Sequence, residues 1–168
     1  VKALIKTGLD NNCEMNIIKA ADEANKKQRV NFLNKIIKHF GEDLTGKTFA
    51  VWGLSFKPKT DDLREAPSIT IINDLLKRGA KVKAFDPKAM ETAKFYFKDR
   101  ITYSIGAYEA LEGADALLLL TEWNEFRRPD FERVKSLLKQ PVIFDGRNQY
   151  NAIRVREKGF KYFQIGKI

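Results

Sequence analysis

Two hydrophobic rhythms divide the chain. Over residues 15–40 the apolar side chains Ile17, Ile18, Ala21, Ala24, Phe32, Leu33, Ile36, Ile37 and Phe40 recur at roughly helical spacing, broken by the polar Asn25 and Gln28. This pattern predicts one long helix or a broken pair. Gly41-Glu-Asp-Leu-Thr-Gly46 supplies a helix stop and a turn, which sets the expected boundary between a helical segment over 1–45 and an α/β unit over 46–168. A long helix with no helical partner of its own is expected to dock on another domain or another subunit.

Beyond Gly46, short β-rich runs alternate with helical stretches. Strands are expected at about 47–53, 81–86, 101–105, 116–121, 142–145 and 160–165. Helical or mixed segments are expected at 68–78, 89–97, 107–112, 130–139 and 151–158. The run Ala116-Leu-Leu-Leu-Leu120 suits a central strand covered on both faces. The order predicts an α/β fold, Rossmann-like and doubly wound, with a mostly parallel six-stranded sheet preceded by a long helical segment.

Ligands of such sheets bind outside the carboxyl ends of the strands. Those ends lead here into Leu54-Ser-Phe-Lys-Pro-Lys59, Asp86-Pro87, Thr121-Glu-Trp-Asn124 and Asp145-Gly-Arg-Asn148. Pro67 and Ser68 suit the first turn and N-cap of the helix after the first loop, and a helix start favours anions through its unpaired N–H groups and partial positive charge. Lys57, Lys59 and Arg64 add full charges to that loop. Together with Arg147, Lys57 and Arg64 are expected to converge on one polyanion such as a pyrophosphate. The competing reading is a solvated loop in which Asp61, Asp62 and Glu65 balance their basic neighbours. Trp123 either stacks on a base or sugar or packs at the rim.

Composition narrows the classes. The chain of 168 residues is 43% hydrophobic and 11% aromatic, as a folded domain should be. It has no apolar run of membrane-spanning length and no signal peptide, so neither membrane nor secretion is expected. The single Cys13 excludes an internal disulfide, fits a reducing cytoplasm and reads as a bystander; the single His39, near a helix end where a cation is mildly favoured, reads as structural. A net charge of +9 suits nucleic acid, an anionic membrane or a phosphorylated small molecule. The lysines are spread along the chain without a nucleic-acid module, so nucleic acid is not the expected partner. Asp86 stands where a dinucleotide-binding domain meets an adenosine ribose. Yet the first turn is Gly53-Leu-Ser-Phe-Lys-Pro58, not G-x-G-x-x-G, and Asp86 lies too far along the chain.

The run Val51-Trp-Gly-Leu-Ser-Phe-Lys-Pro-Lys-Thr-Asp-Asp-Leu-Arg-Glu-Ala-Pro-Ser68 closely resembles the C-terminal signature of the nucleotide-sugar 6-dehydrogenases, the UDP-glucose and GDP-mannose dehydrogenase family. Asp86-Pro87, Thr121-Glu-Trp123 and Phe144-Asp-Gly-Arg-Asn148 follow in the order of that family's later strand ends. The helix bearing Asn25 and Gln28 resembles the latter part of its central dimerisation helix. The resemblance implies NAD-dependent oxidation of a sugar C6 alcohol to a carboxylate in two hydride transfers through a cysteine-bound intermediate, with NAD held mainly on an N-terminal domain. It implies substrate contacts from Phe56, Lys57 and Arg147, a cofactor contact from Arg64, and a homodimer formed through the N-terminal helix.

Among family members the signature looks most like that of bacterial UDP-glucose enzymes, with UDP-N-acetyl-mannosamine and GDP-mannose enzymes as alternatives. Val1-Lys-Ala-Leu4 resembles the sequence that follows the family's Gly-Gly-Ser-Cys loop, and Cys13 lacks that loop's glycines. The chain is therefore expected to be a C-terminal fragment, inactive alone and without a catalytic residue of its own. Two readings from other classes remain: a stand-alone nucleotide-binding module, and a nucleic-acid-binding α/β domain suggested by charge alone.

Overall fold

In the computed structural model, which describes residues 2–166, side-chain alternation along three central strands generates two cores. Val1, where the N-terminal resemblance begins, lies outside the described residues. In β1 (Thr48–Trp52), Phe49 and Val51 face one side while Ala50 and Trp52 face the other. In β4 (Ala116–Leu119), Ala116 and Leu118 oppose Leu117 and Leu119; in β5 (Val142–Asp145), Val142 and Phe144 oppose Ile143. The period of two thus feeds both faces from fully buried strands. With β2 (Lys81–Phe85), β3 (Thr102–Tyr103) and β6 (Lys161–Gln164), they form a six-stranded sheet in the order β3-β2-β1-β4-β5-β6. Every pairing is parallel. This is the doubly wound Rossmann order, whose switch point lies between β1 and β4.

One face is covered by α2 (Asn16–Phe40), α3 (Pro67–Lys77) and α4 (Met90–Phe97), the other by α5 (Ala107–Leu111), α6 (Phe131–Leu137) and α7 (Ala152–Glu157). The first helix, α1 (Lys2–Asp10), carries no signal noted in the sequence. The long helix is unbroken and ends at Gly41, which takes φ 94° and donates its N–H to the Ile37 carbonyl. Its C-terminal half docks on the sheet through buried Phe32, Leu33 and Ile36, Phe32 meeting the Phe144 ring edge-on. Its N-terminal half does not: Ile17 is 84% exposed. His39 packs against Phe40, Phe144 and Phe163. Burial, followed by the charge of Lys161, lowers its pKa below the ordinary 6.5, so packing overrides the expected preference for a cation at the helix end. Among the described residues no helix is long and apolar enough to cross a membrane.

Buried carboxylates tie down the strand ends. Asp86, just past β2, is 1% exposed. Its Oδ2 accepts from the amides of Leu54 (2.7 Å) and Ser55 (3.1 Å), the Ser55 hydroxyl (3.1 Å) and the Trp123 indole (3.1 Å). Its Oδ1 accepts from the amides of Lys88 (2.9 Å) and Ala89 (2.8 Å), which set up the start of α4. Asp145, at the end of β5, is fully buried and accepts from the amides of Arg147, Gln149 and Tyr150 and from the Tyr162 hydroxyl at 2.6 Å. These bonds satisfy loop donors that burial would otherwise leave unpaired.

Replacing Asp86 by Asn turns one acceptor oxygen into a donor facing buried donors. Asp86→Asn should cost about 2–6 kcal/mol, from two stranded groups at roughly 1–3 kcal/mol each. Urea unfolding of the two chains measures this; a loss below about 1 kcal/mol would mean that the cluster does not form in solution.

Candidate functional site

The loop between β1 and α3 is held by its own backbone and by its neighbours. Gly53 turns the chain at φ 89°, and a Cβ there would sit 2.4 Å from Thr121 Cβ and 2.6 Å from Thr121 N. Only glycine permits so close an approach of the β1 and β4 ends. Thr121 then donates its hydroxyl to the Ser55 carbonyl at 2.6 Å, and the Phe56 amide closes the loop on the Asp62 carbonyl at 2.8 Å. Ser68 does not cap α3 as expected. The N-cap is Ala66 with Pro67 in the first turn, and the Ser68 hydroxyl, inside the helix, donates to the Leu54 carbonyl. Its proximity to the buried loop gives that hydroxyl a stronger claim elsewhere than at the helix end.

These contacts draw the ends of β1 and β4 together at the switch point. The open space lies to one side, between the strand ends and α2. A cavity of about 320 Å³ is lined by Asn25, Gln28, Arg29 and Phe32 of α2, by Phe56, Pro67 and Ile71, and by Leu120, Gly146, Arg147 and Ile165. That volume is at the lower end for small-molecule pockets. Phe56, 48% exposed, offers an aromatic surface, and Arg29 and Arg147 supply positive charge. The backbone of Gly146 comes near: a Cβ there would lie 3.4 Å from the Phe32 ring.

The cations predicted to converge are dispersed. Arg147 is in the cavity wall, where its Nε–H is paired with the Glu122 carboxylate. Burial, the largest single influence, pushes the Glu122 pKa up, but the hydrogen bond from Arg147, the residue's own backbone amide and the Arg147 charge together outweigh it and hold the carboxyl below its ordinary value. Lys57 is exposed beside Phe56, outside the cavity lining. Arg64 lies in a second groove with Arg29, Glu65, Ala66, Ile69, Thr70 and Tyr96, and its guanidinium grips Asp62 with two hydrogen bonds, 3.0 and 2.8 Å long. Arg29 borders both spaces. It donates to the Glu65 carbonyl at 2.8 Å, binding α2 to the loop.

The sequence pattern named no role for Arg29; its signal was its position one residue after the polar break at Gln28, on the face that α2 turns to the sheet. Trp123 is packing, 8% exposed and bonded to Asp86. Asn148 also closes structure, exchanging amide hydrogen bonds with the Ile165 backbone. Cys13 is exposed and is not among the cavity residues. No cluster able to hold a metal ion occurs among the described residues.

A parallel sheet with a cationic and aromatic cleft between its strand ends and a long helix defines a Rossmann-like domain. Residues 50–152 match the model of the UDP-glucose/GDP-mannose dehydrogenase family, UDP binding domain. Over 172 residues the chain is 39% identical to UDP-glucose 6-dehydrogenase of Pseudomonas aeruginosa, covering 99% of this chain and 38% of that protein. It is 42% identical over 151 residues to a UDP-glucose 6-dehydrogenase of Bacillus subtilis, covering 90% of this chain and 32% of that one. The solved UDP-glucose dehydrogenase of Pyrobaculum islandicum superposes with a TM-score of 0.77 at 28% identity, over 96% of this chain and 34% of that one. The chain belongs to the UDP-glucose/GDP-mannose dehydrogenase family and spans its C-terminal portion, about a third of the length of these relatives.

The Arg64 and Asp62 pair sets a pH expectation. The hydrogen bonds from Arg64 hold the Asp62 carboxyl down at about 2, against an ordinary 3.8. A depressed folded-state value means that the pair's contribution is present above about 3.8 and is lost as pH falls through about 2. Carboxyl NMR titration of Asp62 should give a midpoint near 2, whereas one near 3.8 would mean that the pair is open in solution.

Proposed function

We propose that this chain is the substrate-binding part of an NAD-dependent UDP-glucose 6-dehydrogenase, which takes UDP-glucose to UDP-glucuronate in two hydride transfers. The observation that carries the reading is the cleft itself, where the Phe56 ring and the Arg29 and Arg147 guanidiniums border one space at the carboxyl ends of the strands. An aromatic face suits a base or sugar, and a guanidinium suits a diphosphate, to which it can give two parallel hydrogen bonds. Lys57, on the adjoining rim, adds a mobile charge for the same diphosphate. The UDP-glucose enzymes among the relatives favour this nucleotide sugar over UDP-N-acetyl-mannosamine or GDP-mannose.

The residues present do not fit a dinucleotide at the sheet's own crevice. Asp86, the one acid in the ribose position, is saturated by protein donors, and Thr121 closes on Gly53. NAD is therefore assigned to the part of the enzyme outside this chain, with Arg64 reaching it from the second groove, and so is the cysteine of the covalent intermediate. On this reading the isolated chain is inactive, works in the cytoplasm as part of the whole enzyme, and pairs with a second copy through the N-terminal helix, whose Ile17 and Val30 are exposed.

Calorimetric titration with UDP, UDP-glucose, NAD and GDP-mannose tests the assignment. Saturable binding of the UDP compounds, with none of NAD, is expected. Lys57→Ala should weaken UDP-glucose binding by about 1–3 kcal/mol, the scale of a hydrogen bond to a charged group. Preference for GDP-mannose, or unchanged affinity in the variant, would reject the assignment it concerns.

A further inference from the structure

The Arg147 side chain is held in an asymmetric way. Glu122 takes the Nε–H, the inner edge of the guanidinium, and is its one side-chain partner among the described residues. The two terminal NH2 groups are left for whatever enters the cavity that Arg147 lines. A free arginine has several rotatable bonds, and ordering them on binding subtracts from affinity; a guanidinium already fixed at Nε avoids most of that loss.

Glu122 is itself fixed from both sides. Thr121 before it donates to the Ser55 carbonyl at 2.6 Å, and Trp123 after it donates to Asp86 at 3.1 Å. The Gln149 side-chain amide donates to the Trp123 carbonyl at 3.1 Å, joining this turn to the one that bears Arg147. On the other side, the Arg147 amide is bonded to buried Asp145 at 2.8 Å, and the Gly146 amide to the Leu119 carbonyl at 2.9 Å. The ion pair therefore joins two rigid turns, at the ends of β4 and β5, and is the last link from Asp86 to the cavity.

We propose that Glu122 is a positioning residue for nucleotide binding: by accepting the Arg147 Nε–H it aims the outer edge of the guanidinium at the diphosphate of a UDP ligand. The inference rests on the reading of the cavity as a UDP site. The opposite role is also chemically defined, since a carboxylate on Arg147 could instead compete with the diphosphate and weaken its binding. Removing the charge distinguishes the two.

The test is calorimetric titration of UDP into the full chain and into its Glu122→Ala, Glu122→Gln and Arg147→Ala variants, with thermal unfolding of each. Glutamine keeps an oxygen for the Nε–H and loses the charge. Glu122→Ala should lose about tenfold in UDP affinity, toward the level of Arg147→Ala, and Glu122→Gln should stay within about threefold of the parent. Unfolding midpoints of both Glu122 variants should stay within about 2 °C of the parent, because a partly exposed ion pair contributes little to stability.

Glu122→Ala binding as tightly as the parent or more tightly would overturn the proposal, as would Glu122→Gln falling as far as alanine, or a loss that follows a fall in unfolding midpoint. Each of these leaves the UDP reading standing, provided that the parent binds. A parent chain that binds no UDP overturns the UDP reading and this inference with it.

Discussion

A carboxylate placed among backbone amides must be met by donors on every side, and Asp86 organises the ligand-binding end of this sheet through that requirement. Four donors from two loops meet one oxygen, and two from the start of α4 meet the other. The residues that supply them are far apart in sequence. The loop after β1, the start of α4 and the turn after β4 can each take only the conformations that bring their donors to one point. Asp145 repeats the device at the end of β5, with Tyr162 closing it from β6. The rim of the cleft is thus set by two buried anions and not by its own surface residues.

The same economy reshapes the crevice. In a dinucleotide-binding sheet the acid after β2 faces a ribose and the glycines after β1 admit a pyrophosphate. Here the acid faces protein, and the single glycine at the turn admits Thr121. The cavity opens between α2, the loop after β1 and the ends of β4 and β5. The helix is therefore part of the site: its buried half anchors to the core through Phe32, Leu33 and Ile36, and Asn25, Gln28 and Arg29, one to two turns earlier, form a wall of the cavity. At Arg147 the positive charge is partnered at the inner edge of the guanidinium, and the residue lines the cavity.

Much of the fold was legible because buried parallel strands write themselves as continuous apolar runs. Ala116-Leu-Leu-Leu-Leu120 announced the centre of the sheet, and the observed strands lie within the expected ranges with one or two residues trimmed at most ends. The two-residue β3, at one edge of the sheet, is shorter than expected and pairs with β2 only at Lys83–Thr102 and Ala84–Tyr103. The single unbroken α2 was one of two readings, since Asn25 and Gln28 look like a break until the helix is seen to carry them at a cavity. The loop chemistry was legible as charge and not as placement. Lys57, Arg64 and Arg147 differ in direction because Asp62 captures Arg64 and Glu122 captures Arg147, and such local pairs have no periodic signature. Asp86 and Trp123 are of residue types that suit a ligand, and they satisfy each other instead; residue type alone does not say whether a polar group meets a ligand or the protein.

Native-state hydrogen exchange tests the central claim most directly. If Asp86 organises the cleft, the amides of Leu54, Ser55, Lys88 and Ala89 and the indole N–H of Trp123 should exchange only through global opening, as slowly as the amides of the β1 core, while nearby exposed Lys57 and Lys59 exchange fast. Exchange of Leu54 and Ser55 at the rate of Lys57, with β1 still protected, would show that the loop opens without unfolding the domain and that the carboxylate does not hold it.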